Sequence, residues 1–412
     1  MNLSRGAFRH LAAALGVSVL LAATARADWT MTSADFKTQQ NLTINTWTLD
    51  EGLSATVLGG KNVTFPTREI LSLTSGAKAV PYPGSNAWKL ALKTGDVLYG
   101  DAIKVSGSSL MFHVEGIDGE LAVPLKRVLS LSAPVYGAAA VANKTKKLPA
   151  ATDHDIIVFK QADNLGGLFA NIDDTNVKFK ATGSDEVAQI PLANIDTIVF
   201  GGVRPPRGIP PLAVRVTLQQ GSVLTIPLTS EGKEFQWLVL GKISFKDAAG
   251  QAHTLKDDAL VSAEIVGGRV VYLTELDASK EEQTTFLGTT YPAQINKNVL
   301  GQPMRIGRVT FDRGIGVHTQ SVLTYDLDGS FDTLSLRVGM DDSAAPNGEA
   351  SASIVLDGKV LWDAAALRPG DISPELSLPI KGGKRLEFHA DSNGKLDVQG
   401  RVNWVNVSLR RK

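Results

Sequence analysis

A short motif led by proline recurs in the first half of the chain and restricts the folds open to it. Its three copies occupy residues 65–73, 123–131 and 190–198. In each copy an apolar residue precedes the proline, and apolar residues follow four and seven positions after it. Because proline cannot donate to a central ladder, we place it at a strand start or edge, before one short 3₁₀-like turn and a final strand. Three units should therefore close in the same way.

The residues before each copy indicate a meander of short strands. In the second unit, glycine-rich turns separate alternating runs between residues 95 and 119. Strands at intervals of about ten residues, followed by a turn and a last strand, resemble a small SH3-like or Sm-like β-barrel. A fourth, more divergent unit is predicted further on, but its apolar-Pro-apolar segment, 226–228, lies in its middle instead of at its close.

The sequence predicts small units joined by linkers, followed by one larger domain. Stretches rich in Pro or in Ala and Lys divide the units, so we interpret them as separate cores. The predicted boundaries are 1–27 for an export signal, 28–80, 88–133, 153–203 and 212–267 for the units, 134–152 and 204–211 for linkers, and 268–412 for the last domain.

Composition supports an all-β chain with sizeable cores. The 412 residues are 43% hydrophobic and include 39 glycines, with Val, Thr, Leu and Ser recurring in short alternating runs. Lys and Arg together number 42, as do Asp and Glu, so the net charge gives no sign of a nucleic-acid partner.

The first 27 residues have the pattern of a cleaved export signal. Arg5 and Arg9 precede an uncharged apolar run, 11–23, and Ala25-Arg26-Ala27 is a cleavage site of the small-x-small type. The run is shorter than the roughly 20 apolar residues of a membrane span. The chain has no cysteine, which excludes disulfides and a lipid on an N-terminal cysteine. We therefore predict a periplasmic or extracellular protein that is not a lipoprotein and has no membrane span after cleavage.

Two strands near the end of the chain finish in polar residues. Gly314 and Gly316 form a tight turn that leads through His318 into an alternating strand, and the strand at 331–340 ends in Asp341 and Asp342. Such strand ends are where a β-sandwich carries its binding loops.

The order and spacing of several segments in this region resemble the NPCBM/NEW2 family of carbohydrate-binding modules. The resembling segments are 271–276, 314–318, 325–327, 338–342, 354–361 and 402–407. The resemblance implies a jelly-roll-like β-sandwich that binds a glycan, of galactose type or related, without cleaving it. We expect no required cofactor.

The candidate ligand-binding residues are polar or aromatic side chains near these strand ends. They are His318, Asp341, Asp342, Arg337, Asn347, Asn403 and Trp404. Sugar hydroxyls need such polar partners, and the C–H side of a sugar ring packs on aromatic faces. Three alternatives stay open: His318 caps the turn through a backbone hydrogen bond, one acid holds a structural calcium ion, and Trp404 packs in the core between Val402 and Val405.

The sequence contains no motif of a common catalytic class. It lacks a Gly-x-Ser-x-Gly elbow, a phosphate-binding loop and a His-Glu-x-x-His metal motif. Adjacent Asp341 and Asp342 point to opposite faces of a strand, which disfavours a cooperating pair. We predict a non-enzymatic glycan-binding protein whose small units act as spacers or as surfaces for protein partners. The alternatives are a structural or protein-interaction component of the cell envelope without sugar affinity, and an enzyme of unfamiliar design.

Overall fold

A computed structural model describes most of the chain after the predicted export signal. The described residues are 29–79, 87–134, 149, 152–202, 206–228, 234–284, 288–344, 346–393 and 399–412. The export signal predicted at 1–27 and most of the linker predicted at 134–152 lie outside them. Regular structure in these ranges consists of β-strands and short 3₁₀ turns, so the all-β class is confirmed. None of those turns has the length or apolarity of a membrane-spanning helix.

The first unit shows the pattern that the following units repeat. Its strands are β1 (Trp29–Ser33), β2 (Thr38–Thr48), β3 (Gly52–Thr56), β4 (Asn62–Phe65) and β5 (Ile70–Thr74). β1 pairs with both β2 and β5, and β3 lies between β2 and β4, all antiparallel. A 3₁₀ turn, Thr67–Glu69, follows Pro66 and leads directly into β5. The predicted closure by proline, turn and strand is confirmed in this unit.

The second and third units have the same strand order and the same closure. Their strands are β6 (Trp88–Leu92), β7 (Val97–Ser106), β8 (Ser109–Val114), β9 (Glu120–Pro124), β10 (Val128–Ser132), β11 (Asp155–Phe159), β12 (Leu165–Ile172), β13 (Asn176–Ala181), β14 (Val187–Pro191) and β15 (Ile195–Val199). The 3₁₀ turns Leu125–Arg127 and Leu192–Asn194 follow Pro124 and Pro191. In each unit the last strand pairs with the first.

The fourth unit closes in the same way without a proline. Its strands are β16 (Ala213–Leu218), β17 (Val223–Pro227), β18 (Phe235–Trp237), β19 (Lys242–Lys246), β20 (Ala252–Lys256) and β21 (Leu260–Val266). Lys256 occupies the place of the proline, before the 3₁₀ turn Asp257–Ala259, and β21 pairs with β16. The backbone of Lys256 is extended, with φ −95° and ψ 149°, as is that of Pro66, with φ −57° and ψ 137°. The Pro227 segment ends β17 and is not the closure.

The interpretation of the units as separate cores is wrong, because strands pair across them. β5 of the first unit pairs with β21 of the fourth, and Leu73 lies opposite Ala263. β10 of the second pairs with β15 of the third, and Leu131 lies opposite Ile198. All four side chains are buried, within one apolar cluster that extends from Trp29 to Ile265. Each pairing supplies partners to backbone groups that a closing strand would otherwise expose at its edge.

A buried histidine also joins the second unit to the fourth. The Nδ1 atom of His253 lies 2.9 Å from the backbone oxygen of Asp118, and its Nε2 atom lies 3.1 Å from Asp247 Oδ2. The same Asp247 oxygen accepts a hydrogen bond from the backbone N–H of Ala122, at 3.0 Å. Both ring nitrogens of His253 therefore contact acceptors, Asp118 in the second unit and Asp247 in the fourth.

The last domain is a sandwich of two antiparallel sheets. Its strands are β22 (Val270–Tyr272), β23 (Lys280–Gln283), β24 (Gln294–Ile295), β25 (Met304–Ile306), β26 (Val309–Phe311), β27 (Gly314–His318), β28 (Ser321–Asp326), β29 (Thr333–Met340), β30 (Ala350–Leu356), β31 (Lys359–Leu367), β32 (Leu376–Pro379), β33 (Arg385–Asp391) and β34 (Arg401–Arg410). One sheet has the order β24-β27-β34-β29-β32, with β22 also on β34, and the other has the order β23-β28-β33-β30-β31. Phe388 of one sheet packs edge-on against Trp404 of the other, with ring centroids 5.1 Å apart. The predicted β-sandwich is confirmed.

One end of the sandwich contacts the small units, and we call it the proximal end. Val270 packs with Ala34 and Leu71 in a small buried cluster. Beside this cluster, Arg313 Nη2 lies 2.5 Å from Glu264 Oε1 of the fourth unit. The predicted 204–211 linker is also attached here, because Arg207 donates two side-chain hydrogen bonds to Asp277.

The opposite end carries the strand ends that the sequence singled out, and we call it the distal end. Strand register defines it: His318 pairs with Arg401, and Met340 pairs with Val402. In the other sheet, Ser321 pairs with Ala390. The end of β27, the start of β34 and the end of β29 therefore lie side by side.

Candidate functional site

Asp341 holds together the loops at the distal end. Its Oδ1 atom accepts hydrogen bonds from Asn298 Nδ2 and the Ser343 N–H, both at 3.0 Å. Its Oδ2 atom accepts from the Arg305 N–H at 3.1 Å and from Asn403 Nδ2 at 2.7 Å. Burial alone would raise the pKa of Asp341, but the hydrogen bonds from Ser343, Asn403 and Arg305 outweigh it and hold the pKa below its usual value. Asp341 is 1% exposed, so its carboxylate serves these loops and is closed to a ligand.

Asp342 has a different environment although it is the next residue. Its side chain is exposed, and its two oxygens accept hydrogen bonds from the Gly307 N–H at 2.7 Å and the Arg308 N–H at 2.8 Å. These amides belong to the turn between β25 and β26. The two acids therefore accept from different donors and share no hydrogen bond, although both contact the hairpin of β25 and β26.

Besides Asp341, two further predicted ligand contacts are closed to a ligand by burial, and we remove them from the candidate site. Asn403 and Trp404 are each 1% exposed, since both lie on β34 at the centre of its sheet. The Trp404 ring belongs to the core, as the alternative prediction had it. Arg337 is half-buried and donates from Nε to the backbone oxygen of Ser373 at 3.0 Å, whereas Asn347 is exposed in the loop after Asp342.

His318 forms an aromatic pair with a residue that the sequence analysis missed. It ends β27, is 7% exposed, and stacks on Tyr291 with ring centroids 4.8 Å apart and an interplanar angle of 19°. Its Nδ1 atom lies 3.4 Å from the backbone oxygen of Thr319, at the long limit of a hydrogen bond. Tyr291 is 37% exposed, so the pair presents an aromatic surface to solvent through tyrosine and not through histidine.

The residues before and after Tyr291 line a shallow cleft of about 330 Å³. It is lined by Glu281, Gln283, Thr290 and Pro292. Gln283 Oε1 accepts a hydrogen bond from the Tyr291 N–H, and Glu281 Oε1 accepts one from the Ala293 N–H at 2.6 Å.

These two hydrogen bonds attach the tyrosine segment to β23 and fix the shape of the cleft. The Nε2 group of Gln283 is buried and has no hydrogen-bond partner among the described residues. The cleft is thus lined by the Glu281 carboxylate together with Gln283 and Thr290, and the segment that carries the Tyr291 ring borders it. This combination suits a sugar, which has hydroxyls on its rim and C–H groups on its face.

The calcium ion that the sequence left open stays a prediction. Within the described ranges, no three His, Cys, Asp or Glu side chains gather as a metal site would require. Both oxygens of Asp341 and of Asp342 accept hydrogen bonds from the protein.

Comparison with known proteins assigns the last domain to a family. Residues 269–410 match the family model described as the NPCBM/NEW2 domain. A curated protein of Renibacterium salmoninarum, named "Putative endo-alpha-N-acetylgalactosaminidase", is 24% identical over 109 residues, which is 26% of this chain and 7% of that protein. The chain therefore spans only a small part of that relative.

Two solved structures of carbohydrate-binding modules are similar to parts of the chain. One is the CBM51 module of Clostridium perfringens GH95 in complex with methyl-galactose, with 23% identity, coverage of 34% of this chain and 99% of that chain, and a TM-score of 0.31. The other is the tandem CBM51 pair of Sp3GH98, a family 98 glycoside hydrolase of Streptococcus pneumoniae, with 12% identity, coverage of 93% and 88%, and a TM-score of 0.31. The family resemblance predicted from the sequence is confirmed by the family model: residues 269–410 of this chain are an NPCBM/NEW2 domain.

Proposed function

We propose that this protein is an exported, non-catalytic glycan-binding protein whose sandwich binds sugar at its distal end. The observation that carries the proposal is the exposed Tyr291 ring, stacked on His318 and flanked by the polar cleft of Glu281 and Gln283. Tyr291 offers a face to the C–H side of a sugar ring, and the Glu281 carboxylate and the Thr290 hydroxyl line the adjoining cleft for its hydroxyls. The family of the domain supports this use of the cleft.

The carboxylates at the distal end support binding without cleavage. Glycosidases generally hold two carboxyl groups across the scissile bond, about 5 to 10 Å apart. In the described part of the chain, the cleft is lined by one carboxylate, that of Glu281. Asp341 is buried and fully hydrogen-bonded, and Asp342 caps a turn.

The position of the small units also supports the proposal, because they contact the proximal end of the sandwich and not the distal end. They contact the proximal end through an apolar cluster and through ion pairs such as Arg313 with Glu264. The distal end, at the other extreme of the same strands, stays available for a large polysaccharide. The positive start, apolar run and small-x-small site of residues 1–27 favour export, which would bring this end to periplasmic or extracellular glycans.

The test is a glycan array probed with the full-length protein, followed by affinity measurements on the best ligand. Tyr291→Ala should weaken binding about tenfold, because an aromatic stack contributes roughly 0.5–1.5 kcal/mol beyond its buried area. Phe36→Ala is the matched control, since it removes an exposed aromatic ring from the first unit and should leave affinity unchanged. A folded protein that binds no glycan would contradict the proposal and favour a structural component of the envelope.

A further inference from the structure

Arginines at the proximal end of the sandwich are neutralised by carboxylates. Each of them lies within ion-pair distance of an acidic side chain. The pairs are Arg269 with Glu69, Arg313 with Glu264, Arg410 with Asp35, and Arg411 with Asp328. These pairs compensate the positive charge where the sandwich meets the small units.

Three of the four arginines described at the distal end are not compensated in this way. Among the described residues, Arg305, Arg308 and Arg401 have no carboxylate oxygen within the 4 Å that defines an ion pair, and Arg401 Nη1 donates instead to the backbone oxygen of Ser343. The fourth, Arg368, has an ion-pair partner in Glu349 at 3.8 Å, and its own side chain is 71% exposed.

The backbones of these arginines surround a single turn, the one that begins with Asp341 and Asp342 after β29. The N–H of Asp342 donates to the backbone oxygen of Arg305 at 2.8 Å, and its side chain accepts from the Arg308 N–H. The N–H of Asp341 donates to the backbone oxygen of Arg401 at 2.9 Å. Arg368 adjoins the same turn, because the next residue after it bridges to Met340.

Most of the acidic oxygens in this region accept hydrogen bonds from nearby backbone or amide N–H groups. Asp341 is buried under four hydrogen bonds, and both oxygens of Asp342 accept amide hydrogens. Asp371 accepts the Arg368 N–H at 3.0 Å, and the Glu349 side chain is only 17% exposed. The charges of Asp341, Asp342 and Asp371 are therefore screened by local N–H dipoles, while Arg305 and Arg308 lie at the surface.

This cationic turn lies beside the Tyr291–His318 pair, because Arg401 is the register partner of His318. We propose that the distal site takes an acidic glycan, an inference that depends on the proposed sugar-binding function. One sugar ring stacks on Tyr291, and a carboxylate, sulfate or phosphate group of the same polysaccharide binds Arg305 and Arg308. The anionic group belongs on the arginine side, since Glu281 in the cleft would repel it. Guanidinium groups match such anions in geometry and in charge.

The test compares charged and neutral polysaccharides on the full-length protein. Polygalacturonate is the carboxylate probe and dextran sulfate the sulfate probe, with neutral galactan and dextran as their uncharged counterparts. We expect at least one charged probe to bind tenfold or more tightly than its counterpart, and the difference to shrink at high salt. Arg305→Gln with Arg308→Gln should remove most of the difference. The control pair Arg68→Gln with Arg127→Gln removes the same charge from exposed turns of the first two units and should not.

The outcomes separate this inference from the proposed function. Equal binding of charged and neutral probes, still lost in Tyr291→Ala, would overturn the acidic ligand and leave sugar binding intact. An equal loss in the control pair would also overturn it, because it would show general attraction of polyanions to the protein. Absence of binding to every probe and every array glycan would overturn both.

Discussion

Replacing Asp341 by Asn should destabilise the sandwich strongly, because four donors share this carboxylate. Each oxygen accepts two hydrogen bonds. An Asn amide has one acceptor oxygen, so either orientation of its NH₂ group faces two donors and leaves both without a partner. A buried donor that loses its acceptor costs about 1–3 kcal/mol, so the loss of two should cost roughly 2–6 kcal/mol. Asn and Asp have nearly the same shape, so the substitution should remove these hydrogen bonds without rearranging the fold.

Calorimetry of the full-length protein measures the loss, and hydrogen exchange locates it. At about 2–4 °C per kcal/mol, the midpoint of the sandwich should fall by roughly 10 °C, with faster exchange in β29 and β34. Asp342→Asn is the matched control, since each of its exposed oxygens accepts one amide hydrogen and the change should have little effect. A midpoint for Asp341→Asn within about 2 °C of the wild type would refute the reasoning, because it corresponds to less than about 1 kcal/mol.

Three further predictions concern pH and packing. Because the folded-state pKa of Asp341 is depressed, its contribution is present above the unfolded value of about 3.9 and is lost as pH falls through the folded pKa. Thermal midpoints between pH 6 and pH 2 should therefore fall less in Asp341→Asn than in the wild type; parallel curves would contradict this. His253→Phe should cost about 2–3 kcal/mol in urea unfolding, since Asp247 loses a buried partner, and an unchanged urea midpoint would count against the junction. Gly316→Ala should lower the calorimetric midpoint, because its Cβ would lie 2.4 Å from the backbone oxygen of Lys297; a normal midpoint would show that the two segments separate easily.

The closing motif was predictable because proline restricts its own backbone. Pro66, Pro124 and Pro191 all precede the turn with φ between −56° and −58°. Lys256 adopts an extended conformation with no such restriction, so nothing in its side chain marked the closure of the fourth unit. Pairing between units was not predictable either. A closing strand such as Ile70–Thr74 has the same apolar alternation whether its second neighbour comes from its own unit or from another.

The candidate site was predictable in position but not in detail. Polar strand ends placed His318 and Asp341 at one end of a sandwich, and the register confirms that placement. The tight turn predicted at Gly314 and Gly316 is wrong, because both residues lie within strand β27. The burial of Asp341 depends on Asn298, which lies 43 residues earlier in a loop without a recognisable motif. Tyr291 was missed because it lies in a polar segment without a recognisable motif, and its contact with His318 requires the folded chain.

The most direct test of the account is hydrogen exchange of the full-length protein with and without the best glycan from the array. We predict slower exchange in β23, in residues 290–293 and at the turn between β27 and β28, with no change in the small units. Protection confined to residues 29–266, or none at a saturating glycan concentration, would contradict a sugar site at the distal end.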